Sequence, residues 1–185
     1  MDPRSRWPLD DALYQELVAR YREPHRRYHT LQHLEECFAR FEELRAAAEH
    51  PREVELAIWF HDAIYDPRRA DNEERSAAWA RSVAGDSVAT LVLATRHDAL
   101  PASADATVLV DVDLWILGAP QSRFDEYEAQ VREEYGWVPT LVYRRKRRAL
   151  LESFVARRTI YHTERFLERY EAQARANLAR SLARL

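Results

Sequence analysis

The sequence predicts an all-α protein, and three observations carry that reading. Only three glycines occur, Gly85, Gly118 and Gly136, and each follows an apolar-periodic segment where a helix would stop. Prolines 24, 51, 67, 101, 120 and 139 fall at segment edges in the same way. No Asn-Gly or Asp-Gly pair, the strongest short hairpin signal, appears anywhere. Between these breaks, apolar residues recur at helical spacing.

Taken in order, a first helix is expected over 10–21, with Leu13, Leu17 and Val18 inward. The loop 22–28 leads into a second helix over 30–48, whose stripe is Leu31, Leu34, Phe38, Phe41 and Leu44, with Cys37 beside it. Pro51 opens a third helix, which ends near His61-Asp62. Asp71 followed by Asn72, Glu73 and Glu74 looks like a capping-box entry to a fourth. A fifth starts at Asp86 or Ser87 and runs through Val92 to His97. A sixth covers 105–117 and is apolar almost all round, which marks a buried, central helix, yet it contains Asp111 and Asp113. A seventh covers 122–135, an eighth 140–158, and the last, long one 159–185. The run Arg144 to Arg148 is the one dense charge block, and it reads as a solvated helix face.

At 185 residues the chain is expected to form a single domain over 1–185. Its 46 % hydrophobic and 32 % charged residues describe a soluble globular protein. A net charge of -3 disfavours a nucleic acid polymer as partner. The N-terminal stretch has no apolar signal-peptide core, and no apolar run approaches the roughly 20 residues of a membrane span. No membrane partner and a cytoplasmic location are therefore expected. Cys37 is the only cysteine, which excludes an internal disulfide and a cysteine-rich zinc site.

Three stretches carry polar groups that an ordinary core would reject. His61-Asp62 ends the apolar run Val54, Leu56, Ala57, Ile58, Trp59, Phe60. Taken alone, such a pair is more often a helix cap. At the rim of a buried face, however, the carboxylate needs a partner, and beside an imidazole a divalent cation serves. In Tyr28-His29-Thr30-Leu31-Gln32-His33 two histidines lie four apart, on one helical face or at a helix mouth. In LVDVDLWIL two aspartates sit inside an apolar helix, where each needs a compensating charge.

In order, the chain offers a His, a His-Asp pair and an Asp on three separate helices. That pattern resembles the H…HD…D signature of the HD superfamily of metal-dependent phosphohydrolases. YHTLQH is similar to the YHN-x-x-H segment of the cyclic-nucleotide phosphodiesterase branch. RYHTLQHLEE, LAIWFHDAIYDP, DNEERSA, VDVDLWILG, RRTIYHTERF and EAQARANL resemble a bacterial group of predicted HD-superfamily phosphohydrolases, over about the full length.

The resemblance implies an HD-domain helical bundle with one divalent metal ion (Mn, Fe, Co, Ni, Zn or Mg) held by His33, His61, Asp62 and Asp113. Asp111 is the alternative to Asp113, or a group that holds a ligand histidine. The resemblance makes His29 a candidate general acid; Glu73 or Glu74, which follow the His-Asp pair closely, could polarise the attacking water, or serve only the electrostatics of a helix start. His97 could touch the substrate or a second metal, and Arg26 or Arg27 could clamp phosphate oxygens. The expected substrate is a small phosphoester, a nucleotide foremost. The apolar stripe of the last helix could serve a homodimer. Two rival expectations are a di-iron oxygenase, which needs further ligands, and a metal-containing nucleotide-binding module without turnover.

Overall fold

The computed structural model describes Trp7 and residues 9–185, and among these every regular element is helical. The helices are α1 (Asp11–Tyr21), α2 (Leu31–Leu44), α3 (Pro51–Phe60), α4 (Asn72–Ala84), α5 (Asp86–Ala94), α6 (Ala104–Leu114), α7 (Gln121–Glu134), α8 (Thr140–Val155) and α9 (Glu164–Arg184). The all-α expectation therefore holds. Among the described residues, no helix is long and apolar enough to cross a membrane. The chain divides into two compact units, one up to Asp113 and one over Leu114–Leu185.

The first unit carries α1 to α6. Asp10 caps α1, its carboxylate accepting from the Leu13 amide at 3.3 Å. Thr30 caps α2 through the Gln32 amide. Pro51 starts α3, where its missing N–H costs nothing. All but four residues of α3 are buried, so this short helix is the spine against which α2, α4 and α5 pack. Leu34, Phe41, Val54, Ile58, Phe60 and Val92 form its solvent-free centre. Each such side chain is worth about 1.5–3 kcal/mol of burial.

Local boundaries depart from the sequence reading where tertiary partners intervene. α2 stops at Leu44 and tightens into a 3₁₀ turn, Arg45–Ala47, before the extended Ala48 and the start of α3. Asp71 does not cap α4 with its side chain, because Arg69 holds both its carboxylate oxygens, at 2.7 and 2.6 Å. Gly85, between α4 and α5, has φ +92°, a conformation that favours glycine over any other residue.

In the second unit, the chain leaves α6 through a 3₁₀ turn, Trp115–Gly118. Gly118 is required there: a Cβ would lie 2.7 Å from the Tyr161 hydroxyl and 2.8 Å from the Tyr170 Cβ. Tyr161 donates to the Leu114 carbonyl, and the Asn177 amide donates to those of Leu117 and Ala119. α9 begins at Glu164 rather than 159, since its Glu171 accepts from the amides of Ile160 and Tyr161 and holds that stretch out of the helix. In α8 only Arg147 of the basic run is buried, paired with Glu128. Arg144, Arg145, Lys146 and Arg148 are exposed, as a solvated face requires.

Candidate metal centre

Three helices of the first unit bring their chemistry to one point. His33 lies in the first turn of α2, 2 % exposed. His61 and Asp62 follow the last residue of α3, and His61 is equally buried. Asp113 comes from the last turn of α6. The Nε2 atoms of His33 and His61 are 3.0 Å apart. Asp62 Oδ2 lies 3.0 Å from His61 Nε2 and 3.5 Å from His33 Nε2. Asp113 Oδ1 lies 3.3 Å from His33 Nε2 and 3.6 Å from His61 Nε2.

The surroundings aim these atoms. A helix end leaves carbonyls without partners, and His61 Nδ1 uses one, that of Ile58, at 2.8 Å. That bond takes the Nδ1 proton and leaves the Nε2 lone pair facing the cluster. His97, held at φ +56° just after α5, places its Nε2 2.9 Å from the other oxygen of Asp113. Asp113 thus turns Oδ1 toward the histidines. Asp111 is wholly buried and, two residues earlier on a helix, points about 200° away.

The electrostatics follow from this crowding. Burial alone would lower the basicity of His33. The Cys37 sulfur, Tyr28 and the carboxylates of Asp113 and Asp62 outweigh it and hold the ring well above the usual histidine range. His61 is raised as well: burial opposes, and Asp62 and Asp113 prevail. Burial pushes Asp62 up, but His61, His29 and His33 carry it well below the usual carboxylate range. Asp113 is depressed likewise: burial opposes, and His33, His97 and His61 prevail. Two ionised carboxylates beside two imidazoles call for two positive charges. Two protons or one divalent cation supply them, so the donor set fits such an ion.

Cys37 enters this group unexpectedly. His33, Cys37, His61 and Asp113 offer donor atoms within 4.8 Å of one another. The sulfur is 3.7 Å from both ring nitrogens of His33, so it lies on the axis of neither lone pair. Asp62, at 3.0–3.5 Å from both Nε2 atoms, is the better fourth donor. The signal was available in the sequence, since Cys37 follows His33 by four residues and shares its helical face.

The remaining candidates surround the centre. His29 sits in the turn before α2 rather than on it, its ring 6.1 Å from that of His33 and stacked on Tyr65 at 4.0 Å. Tyr65 is a second residue that the sequence reading left out. Glu73, in the first turn of α4, is half-buried. Burial raises its proton affinity, with Asp62, Glu74 and Asp113 adding to the effect against a backbone hydrogen bond. Asn72 and Ser76 tie this end of α4 to the loop after Asp62, through the Asp66 amide at 3.1 Å and the Ile64 amide at 3.0 Å. Arg27 is exposed and donates to the carbonyls of Pro24 and Arg26. Arg26 is no phosphate clamp. It is 3 % exposed and its guanidinium is spent on three main-chain carbonyls and the Glu23 carboxylate.

One further group among the described residues has metal-like composition, Glu49, His50 and Asp105. Its geometry is that of a helix cap. Asp105 accepts from the His50 amide at 3.0 Å, at the start of α3, and its other oxygen lies 2.8 Å from His50 Nδ1. Compared with family models, curated proteins and solved structures, the chain matches none.

Proposed function

We propose that this protein is an HD-type metal-dependent phosphohydrolase acting on a small phosphoester, with nucleotides the foremost substrate class. The observation that supports it is the spacing of the four donors. Metal–ligand bonds of about 2.1 Å put neighbouring donors about 3.0 Å apart in an octahedron and about 3.4 Å apart in a tetrahedron. The separations of the nitrogens from each other and from the carboxylate oxygens run from 3.0 to 3.6 Å. His33, His61, Asp62 and Asp113 would hold the ion, and mixed nitrogen and oxygen ligation suits Mn, Fe, Co, Ni, Zn or Mg.

A divalent ion bound there supplies Lewis-acid polarisation of a phosphoryl oxygen and lowers the pKa of water toward neutrality. The chain's own residues do the rest. Glu73, made more basic by burial, accepts a proton from the attacking water. His29, with its ring held against Tyr65, delivers a proton to the departing oxygen. Arg27, exposed two residues before His29, is the candidate contact for the substrate phosphate.

Elemental analysis of the purified protein, wild type against His61→Ala, tests the reading. About one divalent transition metal per chain, lost in the variant and accompanied by phosphoester hydrolysis, is expected. No retained metal in the wild type, after incubation with excess Mn, Co, Ni or Zn, overturns it. About two irons per chain would move the assignment to an oxygenase.

A further inference from the structure

The geometry points to Arg26 as a positioning residue that fixes the His29 turn to the Asp62–Ala63 turn, and so holds the proton donor in place beside the metal ligands. One guanidinium bridges both segments. Its Nη1 donates to the His29 carbonyl at 3.1 Å and to the Asp62 carbonyl at 2.7 Å. Its Nη2 donates to the Ala63 carbonyl at 3.1 Å, and its Nε to Glu23 at 3.1 Å. The group lies 5.2 Å from the ring centre of Tyr21 and 5.4 Å from that of Tyr65. Tyr65 in turn stacks on His29. The brace therefore reaches His29 twice, through its carbonyl and through the ring beneath its imidazole.

A plain helix cap explains part of this. Asp62 and Ala63 follow α3, and their carbonyls need donors. A cap gives no reason for the same Nη1 to hold His29 across the loop. Glu23 offsets the burial of the charge through Nε at 3.1 Å and leaves Nη1 and Nη2 for the two turns. A planar fork with diverging N–H groups reaches both turns, and an ammonium, with its donors on one atom, cannot reproduce that fork. Seated at 3 % exposure, Arg26 meets neither solvent nor substrate, so its influence passes through His29.

Only the kinetic part of the test rests on the phosphohydrolase reading. Arg26→Lys keeps the charge, and Arg26→Gln serves as the second variant. Metal content and circular dichroism check each for folding. The His29 imidazole proton resonances report ring position directly, because Tyr65 lies face to face with the ring. Both variants should shift them toward values for an unstacked histidine, with the metal content retained. Resonances that stay put in two folded variants overturn the proposal, whatever the kinetics.

The kinetic arm compares p-nitrophenyl phosphate, whose leaving oxygen needs no proton at neutral pH, with a nucleoside 5′-monophosphate, whose leaving oxygen does. His29→Ala should lower kcat about 100-fold or more on the nucleotide and far less on the nitrophenyl ester. Arg26→Lys should show the same selectivity at smaller amplitude. Equal losses on both esters for Arg26→Lys, alongside a selective His29→Ala, overturn the positioning role. A His29→Ala defect equal on both esters, or a wild type that hydrolyses neither, instead removes the catalytic reading and leaves the brace to the resonance measurement.

Discussion

His97 shows how much a single side chain outside the donor set can decide. It reaches Asp113 through the oxygen that does not face the histidines, at 2.9 Å, and its backbone adopts φ +56° to do so. Partners of this kind fix a ligand's orientation, and losing one typically costs 10- to 100-fold in metal affinity (about 1.4–2.8 kcal/mol). His97→Ala should therefore weaken metal binding by about that factor while the protein stays folded. Competition titration against a chelator of known affinity reads it directly. An unchanged affinity would mean that His97 serves the substrate instead. Cys37 stands in a different relation to the centre, since a sulfur 3.7 Å from both nitrogens of His33 shapes the ring's surroundings without pointing along a ligand axis.

At the scale of elements, α3 decides where His61 and Asp62 arrive, and its start is fixed from another helix. His50 supplies no side-chain cap of its own. Asp105 of α6 takes the His50 amide and pairs with its ring. Burial raises Asp105, but the bonds from His50 and Glu49 outweigh it and lower its pKa. The pairing with Asp105 raises that of His50. The depressed carboxyl contributes stability above its unfolded value of about 3.9 and loses it as pH falls through the lower folded value. The raised imidazole contributes fully below about 6.5 and loses it as pH rises through the higher folded value. The cap is thus strongest between about pH 4 and pH 6.5.

Asp105→Asn should cost about 1 kcal/mol in urea unfolding near pH 6. The gap should narrow on both sides of that window, and a gap independent of pH would show that the charge is irrelevant to the cap.

The same scale separates what was legible in the sequence from what was not. Helix period, glycine stops and Pro51 at a first turn are local, and each helix was readable to within a few residues. His61, Asp62 and the Asp111 and Asp113 pair stood out because polar residues inside apolar stripes are conspicuous, whereas choosing His33 over His29 and Asp113 over Asp111 took the family resemblance. The misreadings came from partners that no local pattern reveals. Arg69 takes Asp71 away from α4, Glu171 delays α9, and main-chain carbonyls at 62 and 63 absorb Arg26.

For the molecule as a whole, the donors are unevenly distributed: all four lie in the first unit, which ends at Asp113 itself. They join α2, the end of α3 and the end of α6, segments far apart in sequence, so an ion bound by them would cross-link that unit. Any ligand that binds only the folded state stabilises it by mass action, about 2.7 kcal/mol at 100 times its dissociation constant. For a chain of this size each kcal/mol moves Tm by about 2–4 °C, so loading the metal should raise Tm by about 5–11 °C. His61→Ala should abolish the shift. Hydrogen exchange with and without chelator locates the effect. Protection gained on metal loading should concentrate in peptides covering 29–37, 58–66 and 97–113, and be small over α7, α8 and α9. Equal protection across both units would mean that the ion does not sit on these four residues, because no donor of the set lies beyond Asp113.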